Sequence, residues 1–417
     1  MKLQENICSL CFFFSIAFNV LASNEPIKPE GDGTAESPFL FERYENFFWL
    51  SENTGCFESD SIVYCKQISD IDASDTRRGY DPETDIYYGW KPINTLLSNG
   101  SFLLDYDGQN FSIINPYMGR SGNDFTMGIF TRGFFHLRNI VIENAFFERG
   151  KTDYAGCLVG WLLSSRDKNS YIENCRVVGT IKMQGGTGLM CGGLIGIANI
   201  EKDAFITISN CFSKTSVQSA YSAGFICEVT TSGELNICKC GSISDLQENN
   251  GYNYAGGFIE RLYINDGSVN IRDSYSNSNI YGEYSQAGGF INSLGGNTNL
   301  FIAEIVNCYS TGKFPNKSMM RPFLQLVANA FSNSFTLTNC YYNLTSFEKE
   351  DQFAIGRTED EMKKASTFEN WDFENTWDID EGESFPYLRA EIPEPSFFVS
   401  LLFYFLLFVN DIKMRRI

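Results

Sequence analysis

From about residue 150 the chain repeats itself, and a repeat constrains folding more than any single motif. Ala155-Gly156-Cys157-Leu158-Val159-Gly160 returns as Cys191-Gly192-Gly193-Leu194-Ile195-Gly196, then as Ser222-Ala223-Gly224-Phe225-Ile226-Cys227. Further copies are Ala255-Gly256-Gly257-Phe258-Ile259-Glu260, Ala287-Gly288-Gly289-Phe290-Ile291-Asn292 and a decayed Arg321-Pro322-Phe323-Leu324. The intervals between copies run from 31 to 36 residues. A second block alternates with the first: Ile172-Glu173-Asn174-Cys175, Ile208-Ser209-Asn210-Cys211, Ile237-Cys238, Ile271-Arg272-Asp273-Ser274, Ile305-Val306-Asn307-Cys308 and Leu337-Thr338-Asn339-Cys340. Each unit holds short β-prone runs separated by Gly, Asn and Ser, with no amphipathic stretch of helical length. One such unit cannot bury its own apolar face, so neighbours must stack. Several strands per unit of about 33 residues suit one coil of a parallel β-helix, with successive coils about 4.8 Å apart. The expected fold is all-β: a right-handed parallel β-helix.

The same periodicity organises the cysteines. There are 13, and Cys8 and Cys11 lie in an N-terminal segment read below as an export signal. The eleven that remain are an odd number, so they cannot all pair within one chain. Cys175, Cys211, Cys238, Cys308 and Cys340 are read as one ladder position, with Ser274 on the sixth rung. Buried Cys behaves as a small hydrophobe, which makes a ladder of free thiols the leading reading. Zinc sites gather Cys or His at two- to four-residue spacing, and only Cys238-Lys239-Cys240 is that close. The Asn174, Asn210, Asn307 and Asn339 column reads as turn-forming.

Both ends point out of the cytoplasm. Lys2 precedes a mostly apolar run from Ile7 to Leu21, and Val20-Leu21-Ala22 offers the small residue a signal peptidase accepts, so residues 1–22 are expected to be a signal peptide. Phe397 to Val409 is almost wholly apolar and is followed by Lys413, Arg415 and Arg416. At about 20 Å as a helix, it is short for a hydrocarbon core of about 30 Å. Pro393-Glu394-Pro395, that apolar run and the basic end resemble the PEP-CTERM sorting signal of Gram-negative bacteria. The resemblance implies transient or permanent membrane anchorage through Phe397 to Val409, and a chain at the cell surface or outside the cell.

Upstream of the repeats, Gly31-Asp32-Gly33-Thr34-Ala35-Glu36-Ser37-Pro38-Phe39 is followed by Ile68-Ser69-Asp70-Ile71-Asp72. Trp90-Lys91-Pro92-Ile93 and Phe102-Leu103-Leu104-Asp105-Tyr106-Asp107-Gly108-Gln109-Asn110 come next. In that order, and continuing into the repeats, the chain resembles the GLUG-motif surface proteins of bacteria over residues 31 to 389. It departs from them at Ser101-Phe102-Leu103, Gln109 and Phe111. Thr358 and Glu361 form a capping-box signature for a short helix near the C-terminus. Trp371, Phe373, Trp377, Ile379, Phe385 and Tyr387 follow, and are expected to cover the last coil. The organisation expected is therefore N-terminal capping coils over 31–150, repeat coils over 151–346, a C-terminal cap over 347–391 and a sorting or transmembrane segment over 393–417.

Chemistry is sparse. His136 is the single histidine, so any Ser-His-Asp or Cys-His scheme must use it. Some GLUG-bearing proteins are zinc peptidases, but their His-Glu-x-x-His motif is absent here. Asp70, Asp72 and Asp75 cluster, as do Asp105 and Asp107. No Asp-x-Asp-x-Asp-Gly loop completes a calcium site, and both clusters read as turn and cap residues. No catalytic residue, cofactor or metal ligand is assigned, and no enzyme activity is expected. The net charge of −19 disfavours nucleic acid as partner. Tyr252, Tyr254, Tyr263, Tyr275, Tyr281 and Tyr284 crowd two coils among Asn and Ser, and form the candidate ligand-binding face; an internal aromatic ladder is the other reading of the same residues. The function expected is a surface structural or adhesin-like module binding an extracellular polysaccharide, a matrix or a neighbouring cell. The competing class is a β-helix polysaccharide lyase or glycosidase, which would need convergent carboxylates and a basic residue.

Overall fold

The computed structural model describes residues 25–391, apart from 78, 82–85, 99, 120–125, 150–153, 184–187, 248–252, 283, 297–301, 315–319, 328–334 and 348–349. The expected export and sorting segments lie outside the described residues. No helix among the described residues is long and apolar enough to cross a membrane.

Each repeat makes one coil of four strands. In one coil these are Met190–Gly192, Ile195–Ile200, Phe205–Ser209 and Phe212–Gln218. Their counterparts in adjacent coils pair in parallel and in register, building four walls. The first wall is a 7-stranded sheet, the second and third are joined in a 17-stranded sheet, and the fourth is a 13-stranded sheet. The long strand Phe130–Arg138 joins the second wall to the third, because it pairs with both Val159–Ser164 and Ser170–Glu173. The chain is a parallel β-solenoid.

Identical repeat positions stack as columns, as the periodicity requires. Ile172, Ile208, Ile237, Ile271, Ile305 and Leu337 are consecutive partners on the third wall. Phe225, Phe258, Phe290 and Phe323 form an internal stack with ring centroids 4.5, 4.8 and 4.8 Å apart and interplanar angles of 6°, 3° and 16°. That spacing is the strand separation itself, so coil geometry and ring stacking reinforce each other. One continuous core runs from Phe39 to Phe347.

The cysteine ladder is real, but one rung differs from the sequence reading. Cys240, not Cys238, occupies the third rung. Its thiol lies 3.7 Å from the Ile208 carbonyl, as the Cys211 thiol lies 3.6 Å from the Ile172 carbonyl. Cys238 pairs with Ser209 and Arg272 instead, and is half-buried on the outer side of the wall. The reason is the turn. Asn139, Asn174, Asn210, Lys239, Asp273, Asn307 and Asn339 all have φ between 48° and 55°. This left-handed corner sits one residue before each rung, so Lys239 is the corner and Cys240 the rung. All ladder thiols are free, and burial pushes those of Cys175 and Cys211 well up, so they stay neutral and unreactive. Asn and Asp tolerate this backbone because their short side chains bond locally, whereas Lys does not. Lys239→Asn is therefore expected to stabilise the protein by about 0.5–1 kcal/mol, read as a higher denaturation midpoint with unchanged slope.

The N-terminal end is closed by a helix that sequence reading did not place, Tyr44–Asn53. Tyr44, Phe47 and Leu50 recur at helical spacing and are buried. Phe47 meets Phe41 at 4.7 Å and Trp90 at 4.8 Å across the open first coil. The capping box before Glu359–Met362 is as expected: Glu361 N donates to Thr358 Oγ1 at 3.3 Å, and Thr358 N donates to Glu361 Oε2 at 2.8 Å.

The aromatic residues after that helix do something other than expected. They do not close the open edge of the last coil, although Phe368 and Trp371 lie against its Tyr341. They pack along the outer face of the fourth wall, where Phe212, Tyr275, Tyr309 and Tyr341 share a cluster with Phe368, Trp371 and Trp377. Phe212, Gly241, Tyr275, Tyr309 and Tyr341 are one outward column, and a column of bare rings would be an exposed apolar patch. The segment 358–391 is thus a strap across the coils. It is tied by Tyr275 Oη donating to Glu391 at 2.6 Å and by hydrogen bonds from Tyr309 to the Pro386 carbonyl and from Arg176 to the Ala390 carbonyl. The last coil is closed by Asp351 instead. Its Oδ2 accepts the Phe323 and Leu324 amides at 3.1 and 3.0 Å, replacing the carbonyl that a further coil would supply.

Candidate binding strip

Alternation along each strand decides which side chains face outwards. On the first wall the outward column is Tyr154, Met190, Tyr221 and Tyr254, with Gln286 beyond. On the second wall it is Arg132, Trp161, Ile197, Glu228, Arg261, Ser293 and Leu326, with Leu163, Asn199, Thr230 and Tyr263 in the neighbouring column. The two walls meet at a corner, and their outward residues touch across it. Tyr154 packs edge-on against Trp161 at 5.4 Å, and the Arg261 guanidinium lies 5.2 Å from the Tyr221 ring centroid. Tyr221 and Tyr254 stack at 5.1 Å and 9°. The Arg132 guanidinium lies 3.8 Å from the Trp161 centroid, and the indole N–H donates to Asn199 Oδ1 at 2.5 Å. The result is a strip of half-buried aromatics and cations along the solenoid axis. Its far end opens into a groove of about 580 Å³ lined by Glu228, Thr230, Arg261, Tyr263, Ser293 and Leu326.

Electrostatics divide the strip. Arg261 donates to Glu228 Oε2 at 2.9 Å and lies 3.9 Å from Glu260 Oε2. Glu260 is the inward neighbour of Arg261. Burial pushes its carboxyl up to about 7, against the pull of Arg261 and a 3.2 Å hydrogen bond from Asn292. Arg132, by contrast, has no carboxylate partner among the described residues, and its buried Nε has no hydrogen-bond acceptor.

Of the six tyrosines singled out from sequence, the structure places Tyr254 and Tyr263 on this strip. Tyr275 is buried beneath the strap, stacked on Tyr309 at 5.3 Å, and Tyr284 sits in the core against Ser222. Tyr281 is exposed on the fourth wall, and Tyr252 lies outside the described residues. Closeness in sequence thus does not make them one face, because a coil distributes about 33 residues over four walls. The residues missed were Tyr154, Trp161, Tyr221, Arg132 and Arg261. The signal for the tyrosines was available: Tyr154, Tyr221 and Tyr254 each stand immediately before the Ala-Gly or Ser-Ala of the repeat.

The carboxylate clusters do not converge. Asp70 accepts the Ser112 amide at 2.8 Å, and Asp72 accepts the Ser74 amide at 2.9 Å, both as turn residues near the fourth wall. Asp75 falls in the short helical turn Ser74–Arg77. Asp105 and Asp107 lie on the outer face of the third wall. Arg138 bonds Asp105 at 2.5 Å and Asp107 at 3.1 Å, and His136 Nδ1 is 3.5 Å from Asp105. Burial opposes ionisation of Asp105, but its hydrogen bonds from His136 and Arg138 outweigh that and hold it below the usual carboxylate range. His136 Nε2 faces the Asn169 carbonyl at 3.1 Å, so both ring nitrogens are engaged. No group of His, Cys, Asp and Glu among the described residues is arranged to hold a metal.

The crystal structure of a putative immunoglobulin A1 protease from Bacteroides ovatus has a similar fold, with a TM-score of 0.55 over 86% of this chain and 94% of that one. Sequence identity is 18%, so the likeness is one of architecture. No family model and no curated protein matches the chain.

Proposed function

We propose that the chain is an exported surface module that holds an extended polysaccharide along the strip formed by the first and second walls. The observation that carries this reading is the row of half-buried aromatics from Tyr154 and Trp161 to Tyr221, Tyr254 and Tyr263, interleaved with Asn199, Thr230 and two arginines. Flat rings flanked by amides and hydroxyls stack on the apolar faces of sugars while bonding their hydroxyl groups. Strand spacing distributes these rings along the solenoid axis on both sides of the corner, which suits a polymer better than a small molecule. Export rests on the N-terminal apolar segment and the Pro-Glu-Pro terminus. The structural and adhesive roles expected of a GLUG-like chain follow from the same surface. The competing reading, a carbohydrate-active enzyme, has less behind it: the clusters at Asp70 and Asp105 lie on different walls and are tied up in turns and ion pairs.

The test is binding of the full chain to an array of polysaccharides, with a parallel assay for newly released reducing ends. Binding without release is expected. Trp161→Ala and Tyr254→Ala should each weaken it about tenfold at unchanged melting temperature. Release of reducing ends, or full affinity in both variants, would remove the proposal.

A further inference from the structure

The two arginines of the outward column on the second wall are in different states, and that difference points to the ligand's charge. Arg132 and Arg261 are four rungs apart, about 19 Å at the strand spacing. Arg261 is neutralised by Glu228 at 2.9 Å, whereas Arg132 has no ion-pair partner among the described residues. This is no shortage of acids, since the chain holds 51 Asp and Glu against 32 Lys and Arg. Among the described residues no carboxylate reaches Arg132, and its Nε is buried without an acceptor.

Its position is also held. The guanidinium lies over Trp161 at 3.8 Å, and Trp161 is in turn fixed by Asn199 at 2.5 Å and flanked by Tyr154 at 5.4 Å. Stacking on an indole uses the face of a guanidinium and leaves its N–H edge free, and that edge matches the two oxygens of a carboxylate. Tyr154 offers a ring beside it and Asn199 an amide. A net charge of −19 does not forbid an anionic ligand at this spot, because charges more than about 8 Å away are largely screened at physiological salt.

We propose that Arg132, Trp161 and Tyr154 form a subsite for a carboxylate-bearing sugar, so that the polysaccharide held along the strip is an acidic one. This rests on the strip being a polysaccharide site, and it adds the chemical class of the unit bound at one end. The carboxylate sits against the N–H edge of Arg132, and the sugar ring lies beside Tyr154. At the Arg261 end the cation is already neutralised by Glu228, so that end adds no preference for charge.

The experiment compares polygalacturonate with dextran of similar length, binding to the full chain in 0.15 M salt. Polygalacturonate is expected to bind about tenfold tighter, the size of one charge-assisted contact, and the preference should shrink as salt rises. In Arg132→Gln the ratio of the two affinities should fall to about one, with Arg132→Lys between the two. Using a ratio keeps the readout independent of a general loss of folded protein, and the melting temperature of each variant checks it. Equal binding of both polymers by the native chain overturns the acidic subsite while leaving the polysaccharide reading in place. Binding of neither polymer overturns the acidic subsite, and with no binding anywhere on the polysaccharide array it overturns both. A tenfold preference that survives in Arg132→Gln removes Arg132 from the subsite.

Discussion

Gly257→Ala is expected to cost about 3 kcal/mol or more and to lower the melting temperature by several degrees, although it adds only one methyl group. A Cβ at Gly257 would lie 1.9 Å from the Gly289 carbonyl oxygen and 2.4 Å from Ser276 Oγ. The first of these is backbone of the next coil, which cannot move without disturbing the stack. The same close approach recurs at Gly193, Gly224 and Gly289, each against the carbonyl of the following rung at 2.0 to 2.2 Å. This is why four of the six copies carry a glycine at the third position: the bend between the first and second walls packs directly on the hydroxyls of the fourth. Those hydroxyls form an internal column in which Ser242 and Ser278 are 2.8 Å apart and Ser278 donates to the Gly257 carbonyl at 2.9 Å. A methyl group there would strain the backbone and break buried hydrogen bonds at once. Gly188→Ala is the control, since a Cβ there meets nothing within 4 Å, and it should stay within about 0.5 kcal/mol of the native chain. Equal denaturation midpoints for the two variants would show that the coils yield more easily than their spacing implies.

Glu260→Gln is expected to stabilise the protein at pH 8 and to change it little at pH 4.5. Glu260 is fully buried, and burial lifts its carboxyl from 4.5 to about 7. Between those two values the native chain holds a proton that the unfolded chain has released. Stability therefore falls as pH rises through that window and levels off above it, by about 3 kcal/mol in all. The polar neighbours account for the direction. Glu260 Oε2 and Asn292 Oδ1 are both buried without a hydrogen-bond partner, while Asn292 Nδ2 donates to Glu260 Oε1 at 3.2 Å. A protonated acid brings the missing donor to an acid–amide pair, and a carboxylate does not. Arg261 pulls the other way, but it is committed to Glu228. The amide introduced by the substitution would supply an N–H at every pH. Denaturant titrations of both proteins from pH 4.5 to 8 check this: the gap should open between pH 4.5 and 7 and stay constant above. A gap that is the same at all pH values would mean that Glu260 is already ionised in the native chain. Asp105 and Asp107 are held below the usual range, so their contributions change only at lower pH and cancel in the comparison.

Some of this protein was settled by its residues alone. Six copies of a repeat that cannot bury itself left stacking as the outcome, and the coils, their parallel pairing and the thiol ladder follow from it. The corner residue was also within reach. Ile237-Cys238-Lys239-Cys240 has the spacing of Ile172-Glu173-Asn174-Cys175, and matching that spacing places Cys240 on the rung. The helix Tyr44–Asn53 was harder to see, because Tyr44, Phe47 and Leu50 are a weak signal until Phe41, Trp90 and Tyr106 present a surface to cover. The strap and the strip belong to tertiary structure. Periodicity reports that a residue recurs, but not which of four walls it stands on or what lies against that wall. Tyr254 and Tyr275 both recur in rows of aromatics; one faces out of the first wall and the other lies under the strap. Trp371 and Trp377 were legible as a cover, and only the packing of Phe212, Tyr275, Tyr309 and Tyr341 in one outward column decided what they cover. The pairing of Arg261, and the lack of a carboxylate on Arg132 among the described residues, were decided the same way: charge is written in the sequence, but its neutralisation depends on which side chains the coils bring within hydrogen-bonding reach.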